Sequence, residues 1–125
     1  MLIGSINNLV FGYKHALKKL YRQGKLPSIT RGLYGGKLTQ DTVSLEHLIP
    51  HCKKNGHTIL SNLALATKKN NNARGSQPLS RFLTQEQADR YFDQFRGINV
   101  DGFNGDHYIR VAGETVRRLL SKGKK

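Results

Sequence analysis

The amino-acid sequence predicts a mixed α+β fold, in which a short unit of two strands and a helix is flanked by N-terminal and C-terminal amphipathic helices. Apolar residues recur at helical spacing near both ends of the chain, whereas residues 43–75 contain two short extended stretches on either side of a polar loop. With 37% hydrophobic and 23% charged residues, the composition is that of a folded protein. The length of 125 residues predicts one domain, residues 1–125.

A basic helix is expected over residues 5–23. Its apolar side chains are spaced three and four residues apart, and Gly24 follows as a stop signal. Lys14, Lys18 and Arg22 lie four residues apart, so they stack along one side of the helix. Such a stripe can follow a phosphate backbone, or it can simply keep the helix in contact with solvent.

The middle of the chain contains the core motif, residues 43–75. Proline and glycine punctuate residues 26–40, which we therefore expect to form a linker with little regular structure. Val43–His47 and residues 59–66 are predicted to be strands joined by a polar loop. A short helix follows, with Thr67 as its N-cap. The predicted order is strand, loop, strand, helix.

The C-terminal region, residues 84–122, is expected to be largely helical. Thr84 and Gln87 are spaced as a capping box in front of an amphipathic segment. A loop rich in Gly, Asn and Asp follows, and after it come a weak strand over residues 107–111 and a terminal helix that begins at Glu114.

The charge balance indicates a polyanionic partner. The chain has 21 Lys and Arg residues against 8 Asp and Glu, a formal net charge of +13. An excess of this size attracts polyanions, so nucleic acid is the expected partner and an acidic membrane surface the alternative. No apolar run approaches the length of a membrane span, and the N-terminal segment lacks a basic signal-peptide region. We therefore expect a cytoplasmic protein with no membrane partner.

The cysteine content argues against structural cross-links. Cys52 is the only cysteine, which leaves no internal disulfide and no structural zinc site built on paired cysteines. The neighbouring His51 and His57 do not complete a zinc ligand set with Cys52 at the usual spacing, so all three are expected to be polar loop residues.

The core motif combines side chains that suit phosphodiester hydrolysis. That reaction needs a water nucleophile and neutralisation of charge on the phosphoryl oxygens. His47 can serve as general base, because an imidazole with an ordinary pKa of about 6.5 is mostly neutral at physiological pH. Glu46 and Asn71 offer hard oxygen donors that suit Mg²⁺ or Mn²⁺. The alternative is a basic loop in which His47 is a buried structural histidine and the asparagines cap turns and a helix.

The spacing of these residues resembles that of a known enzyme family. The pattern Glu46-His47-x-x-Pro50, followed by Asn62 and by Asn71 nine residues later, is similar to the HNH endonucleases, the ββα-metal or His-Me finger group. Small phage and homing endonucleases and the HNH domains of CRISPR effectors carry such a motif. The family usually has Asp where this chain has Glu46, and many members have a final His where it has Asn71.

The resemblance implies a ββα-metal finger within one HNH nuclease domain, and a metal-dependent DNA endonuclease or nickase. His47 would be the general base, while Glu46 and Asn71 would be ligands of Mg²⁺ or Mn²⁺. Asn62 would fix the loop and orient the imidazole. The resemblance also suggests a phage or mobile element as the source. Double-stranded DNA is the expected substrate, RNA is a second option, and the protein would be a monomer or homodimer.

Ten basic residues are expected to face nucleic-acid phosphates. They are Lys53 and Lys54 in the loop, Lys68, Lys69 and Arg74 near the metal, and Lys14, Lys18, Arg22, Arg117 and Arg118 on the outer helices. Two other classes of function compete with the nuclease. One is a non-catalytic nucleic-acid-binding module with a degenerate HNH fold, and the other is a protein-binding factor whose charge only assists solubility.

Overall fold

The structure, a computed structural model, describes residues 16–123 and has the mixed α+β composition that the sequence predicts. The helices of this range are α1 (residues 16–22), α2 (Lys68–Arg74), α3 (Gln85–Asp93) and α4 (Gly105–Gly123). The strands are β1 (Val43–His47), β2 (Leu63–Thr67), β3 (Asn99–Val100) and β4 (Phe103–Asn104), with 3-10 turns at Leu60–Asn62 and Leu79–Arg81. The first part of the predicted N-terminal helix, residues 5–15 with Lys14, lies outside the described range. None of the helices within residues 16–123 has the length and apolar character needed to cross a membrane.

The central unit consists of β1, β2 and α2. β1 and β2 pair in antiparallel fashion, with Val43 opposite Thr67 and His47 opposite Leu63. α2 follows β2 directly, because Thr67 Oγ1 accepts a hydrogen bond from Asn70 N at 3.1 Å and caps the helix. The predicted order of strand, loop, strand and helix is therefore present, and β1 has its predicted bounds.

β2 is shorter at its N-terminal end than predicted. The sequence predicts extended backbone from residue 59, but Leu60–Asn62 form a single 3-10 turn. The Asn62 side chain explains the difference, because it hydrogen-bonds to the backbone of Ile49 and His57 and holds the chain against the preceding loop.

Residues 26–40 have little regular structure, as predicted, but the segment is packed into the core and is more than a linker. Leu26, Ile29, Leu33 and Leu38 are buried in the core. The N–H group of Leu33 donates to Leu65 O at 2.9 Å, so the segment covers part of the outer edge of β2. Proline and glycine interrupt the periodicity of these apolar residues, and this interruption conceals their burial at the level of sequence.

Two tyrosine hydroxyls connect β2 to the C-terminal helices. Tyr91 of α3 and Tyr108 of α4 are fully buried, and their hydroxyl oxygens lie 3.0 Å apart. Leu65 N donates to the Tyr91 hydroxyl at 2.8 Å, and the Tyr108 hydroxyl donates to Leu63 O at 2.7 Å. The hydrogen bonds therefore run in one direction from Leu65 N through both hydroxyls to Leu63 O, and each of these four buried groups has a partner.

The C-terminal region is helical, but its last helix starts earlier than predicted. The capping box of α3 is confirmed, since Thr84 Oγ1 accepts from Gln87 N and Gln87 Oε1 accepts from Thr84 N. The strand predicted over residues 107–111 is wrong, because α4 already begins at Gly105. The Asn104 side chain caps α4 by accepting from the third backbone N–H of the helix at 2.8 Å.

A small hairpin precedes α4 in the segment predicted to be a loop. Asp101 and Gly102 form its turn between β3 and β4 with φ values of 49° and 82°, as a two-residue hairpin of the I′ type requires. The chain then passes close to α3. A Cβ atom at Gly105 would lie 1.9 Å from Phe95 O, so only glycine fits where α4 begins.

Replacing Tyr91 with Phe is expected to lower the free energy of unfolding by about 1–3 kcal/mol, because the buried Leu65 N–H loses its acceptor and the Tyr108 hydroxyl keeps only its bond to Leu63 O. Urea unfolding followed by circular dichroism measures the change. Tyr21→Phe is the control, since the Tyr21 hydroxyl has no hydrogen-bond partner among residues 16–123. A loss no larger than that of the control would contradict this role of Tyr91.

Candidate functional site

His47 is the last residue of β1 and is half-buried. Its Nε2 lies 2.9 Å from Thr58 Oγ1, and its ring meets that of His51 edge-on at a centroid distance of 5.2 Å. Burial, and secondarily the charge of His51, lower the pKa of His47 from its ordinary value. When Nε2–H donates a hydrogen bond to the Thr58 hydroxyl, the other ring nitrogen, Nδ1, carries the lone pair that can take up a proton.

Asn62 closes the loop that follows β1. Its Oδ1 accepts from Ile49 N at 2.8 Å, and its Nδ2 donates to Ile49 O at 3.1 Å and to His57 O at 2.9 Å. These bonds join the two ends of the loop. None of them goes to the imidazole, so Asn62 holds the loop but does not itself orient the His47 ring.

Asn71 extends from α2 to β1. Its Nδ2 donates to Ser44 Oγ at 2.8 Å and to Leu45 O at 3.0 Å. The carbonyl partner fixes the orientation of the amide, because only the nitrogen can donate to a carbonyl oxygen. Among the described residues none donates to Asn71 Oδ1, which is therefore a rigidly held oxygen donor.

Glu46 lies in the interior, with 3% of its surface exposed. Its Oε2 accepts a short hydrogen bond from the Tyr34 hydroxyl and lies 3.4 Å from Arg74 Nη1. Burial raises the pKa of the Glu46 carboxyl, while the Tyr34 hydrogen bond and the Arg74 charge act in the opposite direction. We assign an ionised carboxylate paired with the guanidinium, since that is the state both partners stabilise.

Arg74 is also interior, and this placement corrects the expectation that it faces phosphates. Only 1% of its surface is exposed. Its three guanidinium nitrogens donate to the carbonyl oxygens of Gln77 at 2.7 Å, His47 at 2.9 Å and Leu48 at 2.9 Å. The guanidinium N–H groups thus donate to carbonyl oxygens and to the Glu46 carboxylate inside the protein, and not to a phosphate.

The two faces of β1 carry different chemistry. Ser44 and Glu46 point toward α2, where they contact Asn71 and Arg74, so Leu45 and His47 point to the opposite face. On that face a depression of about 410 Å³ adjoins Leu45. The other described residues that line it are Lys18, Lys19 and Arg22 of α1 and Gln23, which follows this helix.

The oxygen donors near β1 fit the hard divalent cation that the family resemblance implies. Asn71 Oδ1 fits it directly, because the amide is already held by its nitrogen. Glu46 would offer a carboxylate to the same ion, and Tyr34 and Arg74 already contact that carboxylate at Oε2. Residues 16–123 contain no group of three or more His, Cys, Asp or Glu side chains arranged to hold a metal.

The positive charge is concentrated in the first part of the described chain. Residues 16–84 contain twelve basic and two acidic side chains, whereas residues 85–123 contain six of each. Of the other basic residues predicted to contact phosphate, Lys18 is half-buried, and those exposed are Arg22, Lys53, Lys54, Lys68, Lys69, Arg117 and Arg118. Arg117 forms an ion pair with Glu114 at 2.5 Å, so a phosphate would have to compete with that carboxylate for the guanidinium.

Two partners of the site are invisible at the level of sequence. Thr58 holds the His47 ring, and Tyr34 holds the Glu46 carboxylate. Neither belongs to a motif, and Tyr34 lies in the segment interpreted as a linker.

No family model, no curated protein and no solved structure matches this chain. A function is therefore assigned below from the residues of the site and their geometry.

Replacing Glu46 with Gln is expected to lower the free energy of unfolding by about 3 kcal/mol, because Arg74 would stay buried and charged without a counterion. The matched control is Glu86→Gln, since the exposed Glu86–Arg90 pair contributes at most about 1 kcal/mol. Urea unfolding at pH 7 without added metal compares the two variants. Equal losses would contradict the assignment of a charged, interior Glu46–Arg74 pair.

Proposed function

We propose that this protein is a metal-dependent HNH-type endonuclease or nickase that hydrolyses DNA phosphodiester bonds with His47 as general base. The observation that carries the proposal is that α2 packs on β1, the strand that contains Glu46 and ends at His47, through Asn71 and Arg74, which donate to the Leu45 and His47 carbonyls. The carboxylate and the imidazole lie on the first strand, and the amide oxygen lies on the helix. This is the order of elements on which the HNH resemblance rests. A ββα-metal finger is part of the same proposal.

His47 takes the proton of the attacking water. With Nε2–H donated to Thr58, Nδ1 is the basic nitrogen, and the lowered pKa keeps it unprotonated at neutral pH. The water oxygen forms a bond to phosphorus while the bond from phosphorus to one sugar oxygen breaks. The departing oxygen takes up a proton from solvent.

Asn71 and Glu46 would hold a Mg²⁺ or Mn²⁺ ion, which when bound supplies positive charge beside the phosphoryl and leaving oxygens. The chain itself prepares this position. Asn71 is anchored through Nδ2 to Ser44 and Leu45, so its oxygen loses little freedom on binding. Lys68 and Lys69 are exposed at the start of α2, where they attract the phosphate backbone.

A non-catalytic nucleic-acid-binding module is the second candidate, and the burial of Glu46 favours it. The carboxylate already has a cation, Arg74, at 3.4 Å, and Asn71 and Arg74 both bind the backbone of β1. Under this alternative the same residues hold the fold together, and the basic surface binds nucleic acid without cutting it.

Replacing His47 with Ala is expected to lower the rate of plasmid nicking in Mg²⁺ by about a hundredfold or more, since general-base catalysis contributes about that much. DNA affinity should change by less than about twofold, because the base acts in the transition state. Nicking is measured on supercoiled plasmid by gel electrophoresis, and affinity by mobility shift in EDTA.

His57→Ala is the control for this experiment, because His57 is an exposed histidine in the same loop and only its backbone carbonyl holds Asn62. It should nick at the wild-type rate. Equal rates for His47→Ala and wild type would contradict the proposed base, and nicking that persists in EDTA would contradict a metal-dependent reaction. A mobility shift by a wild-type protein that never nicks would select the binding module.

A further inference from the structure

A groove lies directly beyond the end of β1. Its volume is about 660 Å³, and it lies between the start of the β1–β2 loop, the segment after α2 and the last turns of α4. Leu48, Ile49 and Pro50, which form one wall, follow His47 in the chain without a gap. The groove therefore opens beside the candidate site, at the end of β1 that carries the imidazole.

The rim of this groove is basic. Lys53, Arg81 and Lys122 line it, each is exposed, and none of them has an ion-pair partner among residues 16–123. No acidic residue from the described part of the chain lines it. Three cations around a concave surface focus a positive potential into the groove.

The α3–α4 surface shows the opposite arrangement. Another cavity there has a similar volume of about 670 Å³, but four acidic side chains line it. Its arginines Arg90, Arg96 and Arg117 each pair with a carboxylate three or four residues away. The chain thus neutralises its cations on one surface and leaves them unpaired around the groove.

Arg74 connects the groove to the candidate site. It lies in the floor, where it bonds the carbonyl oxygens of Leu48 and Gln77 on the two walls and that of His47 at the end of β1. The walls and the imidazole are therefore held in one arrangement. Ser76 and Ser80 add hydroxyl donors along the rim, as phosphate-binding surfaces commonly do.

We propose that this groove binds a strand of DNA through its phosphates, with Lys53, Arg81 and Lys122 as the contacts, and leads the strand to His47. The inference rests on the proposed function for the meaning of the His47 end, although binding in the groove does not require cleavage. It adds Arg81 and Lys122, which belong to no recognised motif, to the surface that meets the nucleic acid.

Two variants with the same change in net charge test the proposal. The groove variant combines Lys53→Gln, Arg81→Gln and Lys122→Gln. The control variant combines Arg90→Gln, Arg96→Gln and Arg110→Gln, so it also loses three positive charges but outside the groove. All six residues are exposed, and thermal unfolding verifies that both variants fold.

Affinity for a short fluorescein-labelled DNA duplex is measured by fluorescence anisotropy in EDTA over a series of salt concentrations. We expect the groove variant to bind about tenfold or more weakly at low salt, with a log–log salt slope smaller in magnitude by about 2–3, because each phosphate contact contributes about 0.9 to the slope. The control should keep the wild-type slope. Equal losses in both variants, or wild-type binding by the groove variant, would overturn the proposal.

Plasmid nicking in Mg²⁺ separates this inference from the proposed function. If the groove variant loses affinity and the wild-type protein never nicks plasmid, DNA binding in the groove is supported and the nuclease proposal is rejected. If the wild-type protein nicks plasmid and the groove variant keeps both its affinity and its nicking rate, the nuclease proposal stands. DNA binding in the groove is then overturned.

Discussion

The fold depends on hydrogen bonds that reach a two-stranded sheet from outside it. Within residues 16–123, β1 and β2 pair only with each other, and an isolated pair of strands is marginally stable in water. On β2, the outward-facing backbone groups of Leu63 and Leu65 hydrogen-bond to Leu33 N and to the two buried tyrosine hydroxyls. On β1, side chains of α2 supply the missing donors. The loop after α1 and the three following helices are thus all held to one small sheet.

This constraint explains why the candidate site and the framework cannot be separated. Asn71 and Arg74, one turn apart on α2, donate to Leu45 O and His47 O on the outer edge of β1. Glu46 then balances the charge that Arg74 brings into the interior. Desolvation of two ions is costly, and here the three carbonyl partners of Arg74 and the Tyr34 hydroxyl offset part of that cost. A residue of this group therefore has a structural role whatever else it does.

The sequence predicts those elements whose signals are local. The bounds of β1, the Thr67 cap and the capping box at Thr84 follow from alternation or from side chains within three residues. The features that the sequence does not reveal arise where distant residues decide the structure. Residues 26–40 have no periodicity, yet Leu33 binds Leu65, and the strand predicted near residue 107 is overridden by the close passage of Gly105 beside Phe95.

The candidate site divides in the same way. The motif identifies Glu46, His47, Asn62 and Asn71, but it does not indicate which of them are open to a ligand. Burial of Arg74 could not be foreseen, because the carbonyls that receive it come together only after β1 and α2 pack. Counting charges along the sequence would separate a basic part from a balanced one, but ion pairs such as Arg117–Glu114 become visible only on the folded helix.

The uneven distribution of charge between residues 16–84 and residues 85–123 has a consequence for how the molecule would meet the nucleic acid proposed as its partner. A body whose surplus charge lies to one side has a large dipole moment, and a polyanion exerts a torque on it before any atoms touch. Such a torque would turn the basic side forward during the diffusional approach, so fewer encounters would be spent in unproductive orientations. Ionic strength then controls the speed of association as well as the strength of the complex.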